Sequence, residues 1–141
     1  MSAPHNVTAV VPLLIVTDIE RSLAFYVNGL GFTIKNRWEP EGRLRWCWLS
    51  LGGASLMLQE ATELSRQDKV ALCWGSSLYF QCDDAVAVYR EAAARGVHPH
   101  HEPQVGNFSW EVFFIDPDDY HINFSSPTDL PEETLLSEVK S

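Results

Sequence analysis

One arrangement occurs twice in this chain, and few folds are open to a chain that repeats it. Residues 10–16 are an uninterrupted apolar run of strand length, and Thr17 and Asp18 follow with oxygens that accept from a helix's first free N–H groups. Ile19, Leu23, Phe25 and Tyr26 then recur at helical spacing. Asn28, Gly29 and Gly31 stop that helix, because both residue types enter the left-handed region at low cost. The second copy spans residues 77–97: an apolar strand, an acidic cap at Asp84, a helix and a terminating Gly96. Asp18 and Asp84 stand 66 positions apart (84 − 18), longer than a solenoid unit, so the pattern predicts a duplicated half-domain rather than an open array.

Each copy continues in the same order. In the first, a strand restarts at 32–34, residues 38–42 turn, 43–51 alternate as a strand, Gly52 and Gly53 turn again, and 54–60 close a hairpin. The second runs strand 77–82, helix 84–95, strand 97–101, a loop through Pro103 and Gly106, strand 109–115, a turn at 116–119 and strand 120–125. The expected fold class is α+β: two βαβββ modules forming curled mixed sheets, in one domain of 141 residues. The modules are placed at 9–60 and 77–127, joined by a polar linker at 61–76 and followed by a tail at 128–141. Within the tail, a short capped helix from Pro131 is expected to dock Leu135 and Leu136 or to fray.

Charge narrows the partners. The net charge is −9 with only 10 Lys and Arg, so nucleic acid is not expected, whereas a cationic or neutral small molecule suits the field. Part of the acid (Asp129, Glu132, Glu133, Glu138) lies in the tail and reads as a solvated surface. No apolar run approaches the roughly 18 residues of a membrane span, and no signal sequence opens the chain, so a cytoplasmic location is the expectation. Cys47, Cys73 and Cys82 are dispersed among apolar neighbours and read as buried thiols.

Three segments together carry a family likeness: residues 17–26 followed by Gly29-Leu-Gly-Phe32; Tyr89 through Arg95-Gly96-Val97; and Phe114-Ile-Asp-Pro-Asp-Asp-Tyr120, similar to an aspartate-proline-aspartate-glycine turn. In this order they resemble the vicinal oxygen chelate superfamily, which contains glyoxalase I, bleomycin-resistance proteins, fosfomycin-resistance enzymes and extradiol dioxygenases. The resemblance implies sheets curled around a cavity and, often, a homodimer. It also implies that metal ligands, where present, come from the first and last strands of each module. Those positions correspond here to Val11, Ser77 and Asn123, with a fourth near Met57 and close to Gln59 and Glu60.

A divalent metal in Lewis-acid chemistry needs about three or four charged or imidazole donors, and this set holds an alkyl group, a hydroxyl and an amide. The expectation is therefore no metal, no cofactor and no assigned catalytic residue, as in the metal-free bleomycin-resistance branch: a protein that binds rather than transforms a small organic molecule. Strand alternation sends Val11, Leu13 and Ile15, then Ser55, Met57 and Gln59, then Ser77, Tyr79 and Gln81, and finally His121, Asn123 and Ser125 to the concave faces. The candidate ligand-binding residues are Trp38, Met57, Gln59, Ser77, Tyr79, Phe108, Trp110, Glu111, His121 and Asn123. Trp38, Phe108 and Trp110 enter as loop aromatics able to stack on a planar ligand, and Glu111 as the carboxylate on a strand. The segment His98-Pro-His-His101 reads as a solvated strand edge, and Asp18 and Asp84 as helix caps. Two rival readings stand beside this one: a metal-dependent lyase, isomerase, dioxygenase or thiol transferase with displaced ligands such as Glu60, Glu111 and His121, and a structural or regulatory dimer that fills its own cavity.

Overall fold

The computed structural model describes residues 6–61 and 76–139, and in them the doubled pattern becomes two four-stranded sheets. The first module runs β1 (Leu13–Val16), α1 (Ile19–Leu23, continuing as a π-helix over Ala24–Gly29), β2 (Thr33–Trp38), β3 (Trp46–Leu51) and β4 (Ala54–Glu60), with sheet order β1-β4-β3-β2. In the second are β5 (Ser77–Gln81), α2 (Ala85–Ala94), β6 (Gln104–Gly106), β7 (Ser109–Ile115) and β8 (His121–Pro127), with order β5-β8-β7-β6. In both, the first strand runs parallel to the last and the other pairs are antiparallel, which makes the sheets mixed. The α+β architecture of two βαβββ modules is as the sequence predicts. Both caps also form: Asp18 accepts from the Arg21 N–H at 3.1 Å and Asp84 from the Ala87 N–H at 3.0 Å.

Alternation along the strands decides which way each sheet faces. Leu14, Val16, Leu56 and Leu58 of the first sheet and Val112, Phe114, Ile122 and Phe124 of the second are buried, and they meet Tyr26, Phe32 and Ala92 in one core. Each fully buried aliphatic or aromatic chain contributes about 1.5–3 kcal/mol, so this shared core is what fuses the modules. The convex faces are thereby consumed, and the concave faces point away from the core.

Polar bonds reinforce the seam. The turn at 116–119 acts as a clamp between modules: Tyr26 donates its hydroxyl to Asp116 at 2.7 Å, and Thr17 Oγ1 donates to Asp118 at 2.7 Å. Tyr120 Oη donates to the Ile15 carbonyl at 2.9 Å and accepts from the Ile15 N–H at 3.1 Å, so a side chain satisfies the outer edge of β1. Val97 packs where a Cβ on Gly29 would lie, a close approach that only glycine permits.

Two expectations on secondary structure are corrected. Residues 97–101 form no strand; the second strand of the second module is Gln104–Gly106, inside the segment expected to be loop. Pro99 and Pro103 offer no N–H, and one bond from the His100 N–H to the Phe113 carbonyl (2.7 Å) holds the stretch beside β7. In the tail no helix starts at Pro131. Glu133 adopts φ 68°, which breaks helical continuation, and a single 3-10 turn forms later, at Leu136–Glu138. The tail instead lies along β6, with the Val105 N–H donating to the Thr134 carbonyl (2.9 Å) and the Glu133 N–H to the Val105 carbonyl (2.8 Å). Apart from Ala61 and Ser76, the expected linker falls outside the described residues. Among the described residues no helix is long and apolar enough to cross a membrane.

Candidate ligand-binding site

The first concave face is an aromatic shelf. Trp46 pairs with Gln59 and Trp48 with Met57, while Leu13 and Ile15 register against Met57 and Gln59, so these side chains share one face. Trp38 pairs with Trp46 and is 55 % exposed, extending the row at the sheet edge. Of these, Met57, Gln59 and Trp38 are among the expected ligand-binding residues; Trp46 and Trp48 share the face and are not among them. Their signal lay in the alternation Trp46-Cys47-Trp48-Leu49, in which Cys47 and Leu49 are fully buried and the tryptophans must face the other way.

The second concave face carries polar groups. Ser77 registers with His121, Tyr79 with Asn123, Asn123 with Phe113, and Glu111 with Ser125 and Gln104. A cavity of about 540 Å³ opens there, lined by Ser77, Tyr79, Glu111, Phe113 and Asn123 among others. Tyr79 donates its hydroxyl to Glu111. Burial pushes the Glu111 carboxyl above its usual range, and nearby Glu132 adds to the rise, while the Tyr79 hydroxyl and His101 oppose it. The Tyr79 phenol is likewise raised by burial and by Glu111. A larger groove, about 1160 Å³, follows the seam past Trp48, Leu51, Tyr79 and Gln81 and takes in Val11.

Several expected residues sit elsewhere. Trp110, registered with Val105 and Ser126, packs on the core; as the neighbour of Glu111 on an extended strand it cannot share its face. Phe108 is 79 % exposed in the β6–β7 turn at φ 64° and does not line the cavity. His121 stands edge-on to Phe113, ring centroids 5.1 Å apart, beside the cavity rather than in its wall. His101, expected on a solvated strand edge, does reach the cavity, stacked on Phe113 at 6.0 Å.

The proposed substitute metal ligands do not converge. Glu60 faces the core side, where it accepts from the Ile19 N–H at 2.9 Å, from Arg43 at 2.7 Å and from Arg45 at 3.3 Å, capping α1. Among the described residues no three of His, Cys, Asp and Glu come together in a way that could hold a metal ion. The positions that the family resemblance assigns to donors hold Val11, Ser77 and Asn123, with the fourth near Met57, and this chemistry does not fit a divalent metal used as a Lewis acid.

Two βαβββ modules fused through their convex faces, with their concave sheets open and lined by aromatics, hydroxyls and amides, define a duplicated α+β scaffold. The chain belongs to the Glyoxalase/Bleomycin resistance protein/Dioxygenase superfamily, whose model matches residues 6–124. Among solved structures it is similar to a bleomycin-binding protein complexed with bleomycin, at 22% identity and TM-score 0.67 over 86% of this chain and 100% of that one. A bleomycin resistance determinant encoded on the transposon Tn5 gives 22% identity and TM-score 0.68 over 88% and 100% of the two chains. The bleomycin-binding protein from bleomycin-producing Streptomyces verticillus, complexed with copper(II)-bleomycin, gives 17% and 0.67 over 89% and 100%. At these identities the likeness is one of fold. No curated protein matches the chain.

Proposed function

We propose that this protein is a metal-free binder that sequesters a small aromatic or cationic organic compound in a groove between two copies of the chain. What carries this reading is the donor set: by the family resemblance, Val11, Ser77, Asn123 and a position near Met57 correspond to those where the family's metalloenzymes place their ligands. The aromatic shelf of Trp38, Trp46 and Trp48 supports stacking as the binding mode. A homodimer is supported by exposed apolar side chains on both concave faces, with Leu13 at 47 %, Trp38 at 55 % and Tyr79 at 52 % exposure. The structures that resemble it in fold include proteins complexed with bleomycin, and that molecule is a rational first probe.

The test pairs elemental analysis with titration. Purified protein is soaked with nickel, zinc, manganese or iron, dialysed and assayed for metal, while its tryptophan fluorescence is followed during titration with bleomycin and a panel of planar cations. Saturable quenching without retained metal supports the reading. Stoichiometric, tightly held metal overturns it in favour of a metal-dependent enzyme.

A further inference from the structure

The clamp that closes the outer edge of β1 has no counterpart in the second module. At 66 positions, the spacing of the helix caps, the modules stay in step through their last strands: Glu60 accepts from the Ile19 N–H at 2.9 Å, and Ser126 (126 − 60 = 66) accepts from the Ala85 N–H (85 − 19 = 66) at 2.8 Å. The same spacing sets Gln81 over Ile15 (81 − 15 = 66) and Tyr120 over Ala54 (120 − 54 = 66). Tyr120 satisfies both backbone groups of Ile15 through its hydroxyl, and the methyl group of Ala54 can satisfy neither for Gln81.

β5 is left with a free edge. The Cys82 N–H turns to β8 and donates to the Ser125 carbonyl at 2.9 Å, so two-residue alternation turns the N–H and C=O of Tyr79 and Gln81 to the opposite side. Among the described residues β5 pairs with β8 alone, and no backbone hydrogen bond from another segment joins that opposite side. Other edges are protected, β6 by the tail bonded at Val105, and β2 by the register shift between Ile34 and Asn36 together with Lys35 and Arg37. β5 has no bulge, proline or charge. The 1160 Å³ groove runs along it: the consecutive residues Leu78 to Cys82 all line that space, as they do when a strand's backbone edge rather than one of its faces is the wall.

Size and charge select what completes this edge. An extended residue fills roughly 160 Å³, from the strand rise and the two sheet spacings, so the groove holds about seven residues of a single strand and not the edge of a second folded sheet. Just past the end of β5 the groove is lined by Asp83 and Glu91, and neither has an ion pair among the described residues; Arg95, also there, donates to the Gly29 carbonyl at 3.5 Å. An antiparallel strand begins beside these carboxylates, whereas a parallel strand ends there with its own carboxylate against them. We propose that the seam groove is a peptide-binding site, in which a short linear peptide with a free amino terminus adds to β5 as an antiparallel strand. Its backbone completes the ladder at Tyr79 and Gln81, its apolar side chains lie against Leu51 and Val88, and its α-ammonium meets Asp83 and Glu91. This goes beyond sequestration on the concave faces and stands whether or not those faces bind a ligand.

Isothermal titration calorimetry of the full chain with a heptapeptide of alternating valine and threonine, amidated at its carboxyl end, tests the proposal. Two further peptides are N-methylated at alternate amides, one in each frame. Methylation in the frame that faces β5 is expected to weaken binding at least about tenfold, and methylation in the other frame to leave it within about twofold. Acetylating the amino terminus costs about three- to fivefold, and Asp83→Asn/Glu91→Gln removes that difference. Ala54→Tyr supplies the missing hydroxyl and abolishes binding, and Gln81→Pro, which removes an N–H that the ladder with β8 does not use, weakens it; circular dichroism verifies that both are folded. The N-methylated pair needs no variant, so the test holds even where a substitution unfolds the chain. No binding of the parent peptide, equal affinity for the two methylated frames, or full binding by folded Ala54→Tyr overturns the proposal. Undiminished binding of the acetylated peptide overturns the antiparallel placement of its amino terminus.

Discussion

Tyr26 Oη donates to Asp116 Oδ2 at 2.7 Å, joining the first helix to the turn before the last strand across 90 positions of sequence. The same carboxylate accepts from the N–H groups of Asp118 and Tyr120, both at 2.8 Å, so it is fully engaged while buried. Burial still pushes its pKa from 3.8 up to about 6, against the pull of those hydrogen bonds.

Stability therefore depends on pH in a defined direction. Between about 4 and 6 the folded state holds a proton that the unfolded state has released, so stability falls as pH rises through that window and levels off above it. Asp116→Asn removes the titration. Urea denaturation from pH 3.5 to 7.5 is expected to show the difference between parent and variant moving in the variant's favour by on the order of 3 kcal/mol. A parallel pair of curves would contradict this assignment.

Glu60 closes the first helix from another strand, receiving the Ile19 N–H and two guanidinium groups that remain partly solvated. Glu60→Ala leaves that N–H buried without an acceptor, and a loss of about 1–3 kcal/mol is expected by chemical denaturation. Metal content and ligand affinity should not change, because this carboxylate faces the core.

Asp119 holds φ 70° at the position where the family's turn carries glycine. Asp119→Gly relieves the left-handed backbone at the cost of chain entropy, for a net change between zero and a gain of about 1 kcal/mol. A β-branched Asp119→Val loses stability instead. Thermal melts of the pair check the sign of each.

Donor chemistry can be put back. Ser77 registers with His121, and Asn123 lies two residues further along the same face of β8. Ser77→His/Asn123→Glu therefore places two imidazoles and a carboxylate on neighbouring strands, enough to recruit a divalent ion. Cobalt(II) is expected to give a visible absorption band, reversible by chelator, with this variant and none with the parent.

Much of the fold was legible because local signals agreed with one another. The caps at Asp18 and Asp84, the glycine stops and the period-two strands each specify their own segment, and duplication ties the halves together. Strand 97–101 failed because an apolar-flanked run with Pro99 satisfies a strand pattern without supplying ladder donors. The site was legible by face and not by neighbour. Alternation turned Met57, Gln59, Ser77, Tyr79 and Asn123 to the concave faces, whereas treating Trp110 as a loop aromatic overrode the parity that turns it to the core. The clamp at 116–119 and the tail on β6 depend on contacts between distant segments, which no local pattern encodes.

The polar bonds of the seam, Tyr26 to Asp116, Thr17 to Asp118 and Tyr120 to Ile15, gather on the inner side of the sheets. The outward troughs are thereby released from the work of holding the chain together. Replacements at Tyr79, Met57 or Trp48 can accumulate with little penalty to folding, so a lineage built on this frame is free to change the chemistry of its open faces while its architecture stays still.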